Sequence, residues 1–280
     1  MQNDPLDFSG RNVFVMGGTS GINLGIAEAF ADRGATLGVA SRSQEKVDAA
    51  IAKLSRPGRL AVGFAADVRD PEALQAGIDR IGGQWGRIDV LIAGQAGNFP
   101  APALGMSPNA FKSVVDIDLL GTFNLLRCAH RFLARPGACV INLSAPQAFV
   151  PMELQAHVCA AKAGVDMLTR VLAMEWGPQG IRVNSIMPGP IEGTEGMKRL
   201  APTPQIHEHV RDSVPLKRLG TSRDIANCAL FLASPLGDYI NGAVIPVDGG
   251  QVLNGAGMLS SELAKFFEQH AGAGKGAAKR

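Results

Sequence analysis

A doubly wound α/β fold, with a seven-stranded parallel sheet covered by helices on both faces, is expected from three features of this 280-residue chain. Short apolar runs alternate with stretches of helical spacing along its length, as strands and crossover helices do. Several of the runs are apolar at almost every position, which suits strands buried on both faces. Residue types that carry chemistry cluster directly after the runs, and ligands in this architecture bind beyond the carboxyl ends of the strands.

The first unit is Val13 to Ala27, VFVMGGTSGINLGIA. A β-branched and apolar run ends in Gly17-Gly18-Thr19-Ser20-Gly21, and helical spacing starts at once with Ile22, Ile26 and Phe30. Glycines permit a tight turn, and the free N–H groups and positive end of the following helix favour a phosphate. Ala35 to Ala40 is a second strand, and Ser43 to Leu54 a helix with a polar start. Leu60 to Ala65 is a third strand, after which Pro71 fits the first turn of a helix reaching Trp85. Ile88 to Ala93 is a fourth strand, followed by a loop of small residues, Gly94 to Pro102. A helix-rich stretch runs from Ser107 to Ala134, a fifth strand covers Cys139 to Ser144, and a long helix covers Leu154 to Trp176. Ile181 to Met187 and Val244 to Val247 are the sixth and seventh strands. Residues 1–255 thus form one domain, with an insertion at about 190–215 expected to cover the cleft. A C-terminal helix and a frayed basic tail are expected over 256–280.

Composition narrows the function. The 27 basic and 25 acidic residues leave a formal charge of +2, too little field for nucleic acid or a membrane surface. There is no run of eighteen apolar residues. Cys128, Cys139, Cys159 and Cys228 lack CxxC spacing and sit among apolar neighbours, which fits a reducing, cytoplasmic protein. His207 and His209 lack a third ligand at useful spacing, so no metal site is expected.

The second strand ends in Ala40-Ser41-Arg42. A carboxylate at that place would bind the ribose 2′-hydroxyl, whereas a guanidinium suits a 2′-phosphate, so NADP(H) is favoured over NAD(H). Arg42 can also be read as a solvated residue opening the next helix. Asp67, after the third strand, either caps a turn or accepts a hydrogen bond from an adenine amino group.

Taken together, the motifs resemble the short-chain dehydrogenase/reductase family from about Leu6 to Leu253. They are GGTSGI at Gly17 to Ile22, DV at Asp67 and Val68, RIDVLI at Arg87 to Ile92, AKAG at Ala161 to Gly164, IRVNSIMPGPI at Ile181 to Ile191, and VDGG at Val247 to Gly250. The resemblance implies a Rossmann-type domain with an Asn, Ser, Tyr and Lys set, the tyrosine four residues before the lysine. Lys162 is present, but Val158 stands in the tyrosine position, Ala145 in the serine position beside Ser144, and Asp118 in the asparagine position. The only tyrosine, Tyr239, has no lysine four residues on. Two further positions depart from the pattern: Asn23 stands where the third glycine of the turn is usual, and Ala93-Gly94-Gln95 replaces an asparagine-containing start. Without a phenol, reduction of a ketone loses its proton donor, which leaves a nucleotide-binding protein without catalysis or a reductase whose proton goes elsewhere.

Further segments are similar to the 2,4-dienoyl-CoA reductases of peroxisomal type: AGNF at Ala96 to Phe99, SPNAFKSVVDID at Ser107 to Asp118, LQAHVCAAKAGVD at Leu154 to Asp166 and PGPIEGTEGMKRL at Pro188 to Leu200. There, hydride adds to the end of a conjugated thioester and a proton is delivered to carbon, so no tyrosine is needed. The likeness implies that Gly17, Gly18, Thr19, Ser20, Gly21, Ile22, Ser41, Arg42, Asp67, Val68, Lys162, Pro188, Gly189, Pro190, Ile191 and Thr194 contact NADP(H). It places Arg69, Phe99, Ser107, Asn109 and Arg199 against an acyl-CoA, and Asp118 with Lys162 in the proton relay. Asp118 as a plain helix-start residue is the alternative. Asp116 and Asp118, two apart, cannot both line the cleft. His157 is expected to be a partly exposed side chain at a helix start. The likeness also implies a homo-oligomer, a tetramer in this family. The terminal Ala278-Lys279-Arg280 is close to a peroxisomal address but lacks its leucine, so a cytoplasmic location is expected.

Overall fold

The computed structural model describes residues 4–256; the C-terminal helix and tail expected over 256–280 fall almost entirely outside them. The strands are β1 (Asn12–Met16), β2 (Thr36–Ser41), β3 (Val62–Ala65), β4 (Val90–Ala93), β5 (Cys139–Leu143), β6 (Arg182–Pro188) and β7 (Val244–Val247). All pair in parallel, in the order β3-β2-β1-β4-β5-β6-β7. Strand order therefore reverses between β1 and β4, and a crevice opens there beyond the strand ends.

The helices are α1 (Gly21–Asp32), α2 (Gln44–Leu54), α3 (Pro71–Trp85), α4 (Pro108–Val115), α5 (Gly121–Ala129), α6 (Ala156–Trp176), α7 (Glu195–Leu200), α8 (Pro204–Ser213) and α9 (Ser222–Ala233). Two apolar layers hold them to the sheet. Val13, Val15, Ile26, Phe30 and Leu37 pack with α9 residues Ile225 and Leu230 on one face. Phe14, Phe64, Ile78, Leu91, Leu125 and Val183 fill the other. Alternate residues of β1 thus serve opposite layers, as the two-residue period of a strand requires.

Helix starts follow the chemistry of their caps. Ser43, Asp70, Ser107, Thr194, Thr203 and Thr221 each accept a backbone N–H of the first turn, and Pro71 and Pro108 occupy the first helical positions. Ile88 lies just outside β4 and bridges to Leu133 instead. The helix-rich stretch after Ser107 is interrupted: Asp116–Leu120 forms a π turn between α4 and α5. The expected insertion folds as α7 and α8. Among the described residues, no helix is long and apolar enough to cross a membrane.

Candidate active site

A cleft of about 330 Å³ opens at the β1/β4 reversal, lined by Gly17, Thr19, Ser20, Ser41, Arg42, Asp67, Val68 and Gln95 among others. Gly17 has φ 76°, a left-handed conformation that glycine adopts without steric cost. Ser20 precedes α1 in extended conformation and does not use its side chain as a cap. Its hydroxyl and the first N–H groups of α1 stay available to an anion. Exposed Arg42 and Lys46 stand at the lip beyond β2. A pyrophosphate at the helix start and a 2′-phosphate between two cations match this donor set, so the site fits NADP(H). Lys46 was not anticipated; its only sequence signal is a basic residue one turn after Arg42.

Asp67 proves to be a turn former: it accepts the Arg69 N–H at 2.9 Å and both Nε and Nη2 of the same arginine, at 3.0 and 2.6 Å. These bonds hold its carboxyl below the usual range. Arg69, half-exposed, is folded back onto Asp67 at the nucleotide side. Gly189, Pro190 and Ile191 line a neighbouring cleft with Arg218 and Asp224, not the first one. Thr194 uses its hydroxyl to cap α7, while its methyl carbon faces Gly21 at the start of α1.

Deeper in, Asp118 is completely buried and Lys162 nearly so. The π turn directs Asp118 inward, and Asp116 instead pairs with Lys112 on the outside. Asp118 Oδ1 accepts the Gly97 N–H at 2.6 Å. Its Oδ2 lies 3.2 Å from Lys162 Nζ, which also donates to the Leu143 carbonyl at 3.0 Å. Thr122 donates to the Asp118 carbonyl and receives Gln95 Nε2, both at 2.6 Å. Gln95 is known from the sequence only as part of a departure and Thr122 carries no signal there, because the bond that joins them spans 27 residues. Val158, one turn before Lys162, is buried among Val114 and Ala161. Tyr239 is fully exposed.

Toward the outer side, Phe99 stacks on His157 with ring centroids 4.4 Å apart. The expectation for His157 is corrected: it is completely buried, and neither ring nitrogen has a hydrogen-bond partner among the described residues. The reason is that the loop after β4 folds over the start of α6, with Gln155 donating to the Phe99 carbonyl. Burial pushes the imidazole pKa down. Arg199 on α7 donates to the Asn98 carbonyl at 2.7 Å and ties α7 to the loop after β4. Ser107 caps α4 through its hydroxyl, and Asn109 is exposed beside it. No group of three metal-ligating side chains occurs among the described residues.

The sequence profile described as Enoyl-(Acyl carrier protein) reductase matches residues 17–251. The peroxisomal 2,4-dienoyl-CoA reductase of Rattus norvegicus is 44% identical over 91% of this chain and 87% of its own length. A probable 2,4-dienoyl-CoA reductase of Bacillus subtilis is 39% identical over 87% of this chain and 97% of its own. A short chain dehydrogenase of Burkholderia cenocepacia, solved in complex with NADP, superposes with a TM-score of 0.81 at 26% identity, covering 88% of this chain and 99% of that one. With the sheet order, the glycine turn and the buried lysine in place, the chain belongs to the short-chain dehydrogenase/reductase family, alongside the 2,4-dienoyl-CoA reductases.

Proposed function

We propose that this protein is a reductase that uses NADPH to convert a 2,4-dienoyl-CoA into an enoyl-CoA, with protonation at carbon and no tyrosine. The observation that carries the reading is the buried Asp118–Lys162 pair, 3.2 Å apart, where a phenol is missing. When bound, NADPH supplies the hydride. The chain's residues then have two tasks: to stabilise negative charge on the thioester oxygen of the resulting dienolate, and to deliver a proton to carbon.

Lys162 is suited to the first. Its ammonium is fixed by Leu143 and Asp118, which leaves one N–H for a further acceptor. Asp118 is suited to the second. One oxygen is held by Gly97, while the other retains a lone pair that can bind a water; that water gives its proton to carbon and takes one back from the Lys162 ammonium, which regains its proton from solvent. A ketone substrate would instead place the proton on oxygen, for which Val158 offers nothing. Arg199, beside the loop after β4, and Arg69 are the cations we assign to the phosphates of CoA, with Phe99, Ser107 and Asn109 assigned to the acyl side. Four free cysteines support a reducing, cytoplasmic setting, and exposed Phe123, Met167 and Met174 support a homo-oligomer.

Mixing the protein with NADPH and dienoyl-CoAs of several chain lengths should consume the absorbance of both. NADPH binding without turnover on any of them would favour a nucleotide-binding protein without catalysis. Turnover of a conjugated substrate lacking CoA, with CoA giving no thermal protection, would reassign the substrate.

A further inference from the structure

The two departures from the family's motifs meet in space. Asn23, in the first turn of α1, donates its Nδ2 to the carbonyl of Gly94 at 2.6 Å, across 71 residues of sequence. A carbonyl accepts and never donates, so this contact fixes which way the amide points. A Cβ built on Gly94 would run into Asn23, whose side chain supplies its three nearest atoms. The φ of Gly94 lies outside the left-handed region, so the backbone does not oppose a side chain there, and the nearest obstacle is the Asn23 amide. Asn23 thus fills the space over Gly94, and Gly94 must lack a side chain for Asn23 to fit.

The clamped residue starts the loop that holds the catalytic carboxylate. Gln95, the next residue, reaches Thr122 at 2.6 Å, and Thr122 reaches the Asp118 carbonyl. Two residues further, the Gly97 N–H binds Asp118 Oδ1. Asn23 lies outside the pair that would act on substrate, yet it anchors one end of this chain of contacts to the rigid start of α1.

We propose that Asn23 is a positioning residue, whose amide clamps the loop after β4 at Gly94 and so sets where the Asp118 carboxylate stands. This rests on Asp118 acting in the reaction. The Asn23 amide and a Cβ on residue 94 cannot both occupy this crossing. Their coupling is therefore a property of the folded protein that can be measured without turnover.

The test is a cycle of Asn23→Ala, Gly94→Ala and the double variant, each followed by apo thermal melting, NADPH titration and steady-state kinetics. Gly94→Ala should lower the melting temperature by about 4 °C or more, as overpacking does in a chain of this size. The double variant should melt within about 2 °C of Asn23→Ala, because the obstacle is gone. Both single variants should lose about tenfold in kcat at saturating NADPH, a loss that tighter or weaker nucleotide binding cannot produce although Asn23 and Gly94 also line the nucleotide cleft. Additive losses in melting temperature would overturn the pairing. A lowered melting temperature with unchanged kcat in Asn23→Ala would overturn the positioning role. Full activity in Asp118→Asn would remove the assignment of Asp118 but leave the melting cycle as it is, so the two failures are distinguishable.

Discussion

Lys162 has three N–H donors, of which Leu143 and Asp118 take two, and Asp118 keeps lone pairs beyond those that face Gly97 and Lys162. Replacing Asp118 with asparagine keeps the shape but removes the carboxylate that holds the water, so turnover should fall by about 10²-fold or more while NADPH titration stays close to wild type. Lys162→Ala should lower turnover likewise and also leave a buried carboxylate without its partner, which costs stability. Retained turnover in either variant would remove that residue from the relay. His157 makes a different prediction. Burial lowers its pKa from the ordinary value of 6.5, so below that value the unfolded chain binds more protons than the folded one. Stability should therefore fall as pH drops through 6.5 and be flat above it. In His157→Phe, melting between pH 7 and 5 should show less of this loss; identical pH dependence in both proteins would show that the imidazole contributes nothing.

Among the elements, α9 shows how a helix start is secured and what acid does to it. Thr221 and Asp224 form a reciprocal capping box, and Arg218 binds both oxygens of Asp224 at 3.0 Å. These bonds hold the Asp224 carboxyl well below the usual carboxylate range, so its contribution exists above the unfolded value of 3.8 and is lost as pH falls below it. Asp224→Asn should cost about 1 kcal/mol at neutral pH, measured by urea unfolding, and the cost should shrink in acid. The π turn at Asp116–Leu120 is the other informative element. Its pattern, DIDLL, reads as ordinary helix from the sequence. The full burial of Asp118 and its contacts with Gly97 and Lys162 show that its side chain faces inward.

For the molecule as a whole, the sheet order decides which distant segments meet, and α7 with its Arg199 tether closes the result. Arg199→Ala should raise the KM for the acyl-CoA by about fivefold and leave the NADPH dissociation constant unchanged. An unchanged KM would place Arg199 outside the substrate contact. The exposed apolar residues of α5 and α6, Phe123, Val171 and Met174 among them, argue for burial against a second copy. Light scattering should give a mass well above the 29.3 kDa of one chain, and Met174→Asp should lower it.

Much of this was legible in the amino-acid order, because strands, helices and caps depend on residues a few places apart. The seven runs, the glycine turn at Gly17, Arg42 after the second strand and the absence of a YxxxK pair are local patterns, and each is found where it was read. The contacts that remained hidden join residues far apart in sequence. Asn23 over Gly94, Gln95 on Thr122 and Phe99 over His157 follow from β1 lying beside β4 and from the loop after β4 folding over α6. That Asp67 holds a turn through Arg69 while also lining the nucleotide cleft is visible only in three dimensions. Periodicity encodes which face of an element is apolar; it carries no record of which side chain from another element will fill the space opposite.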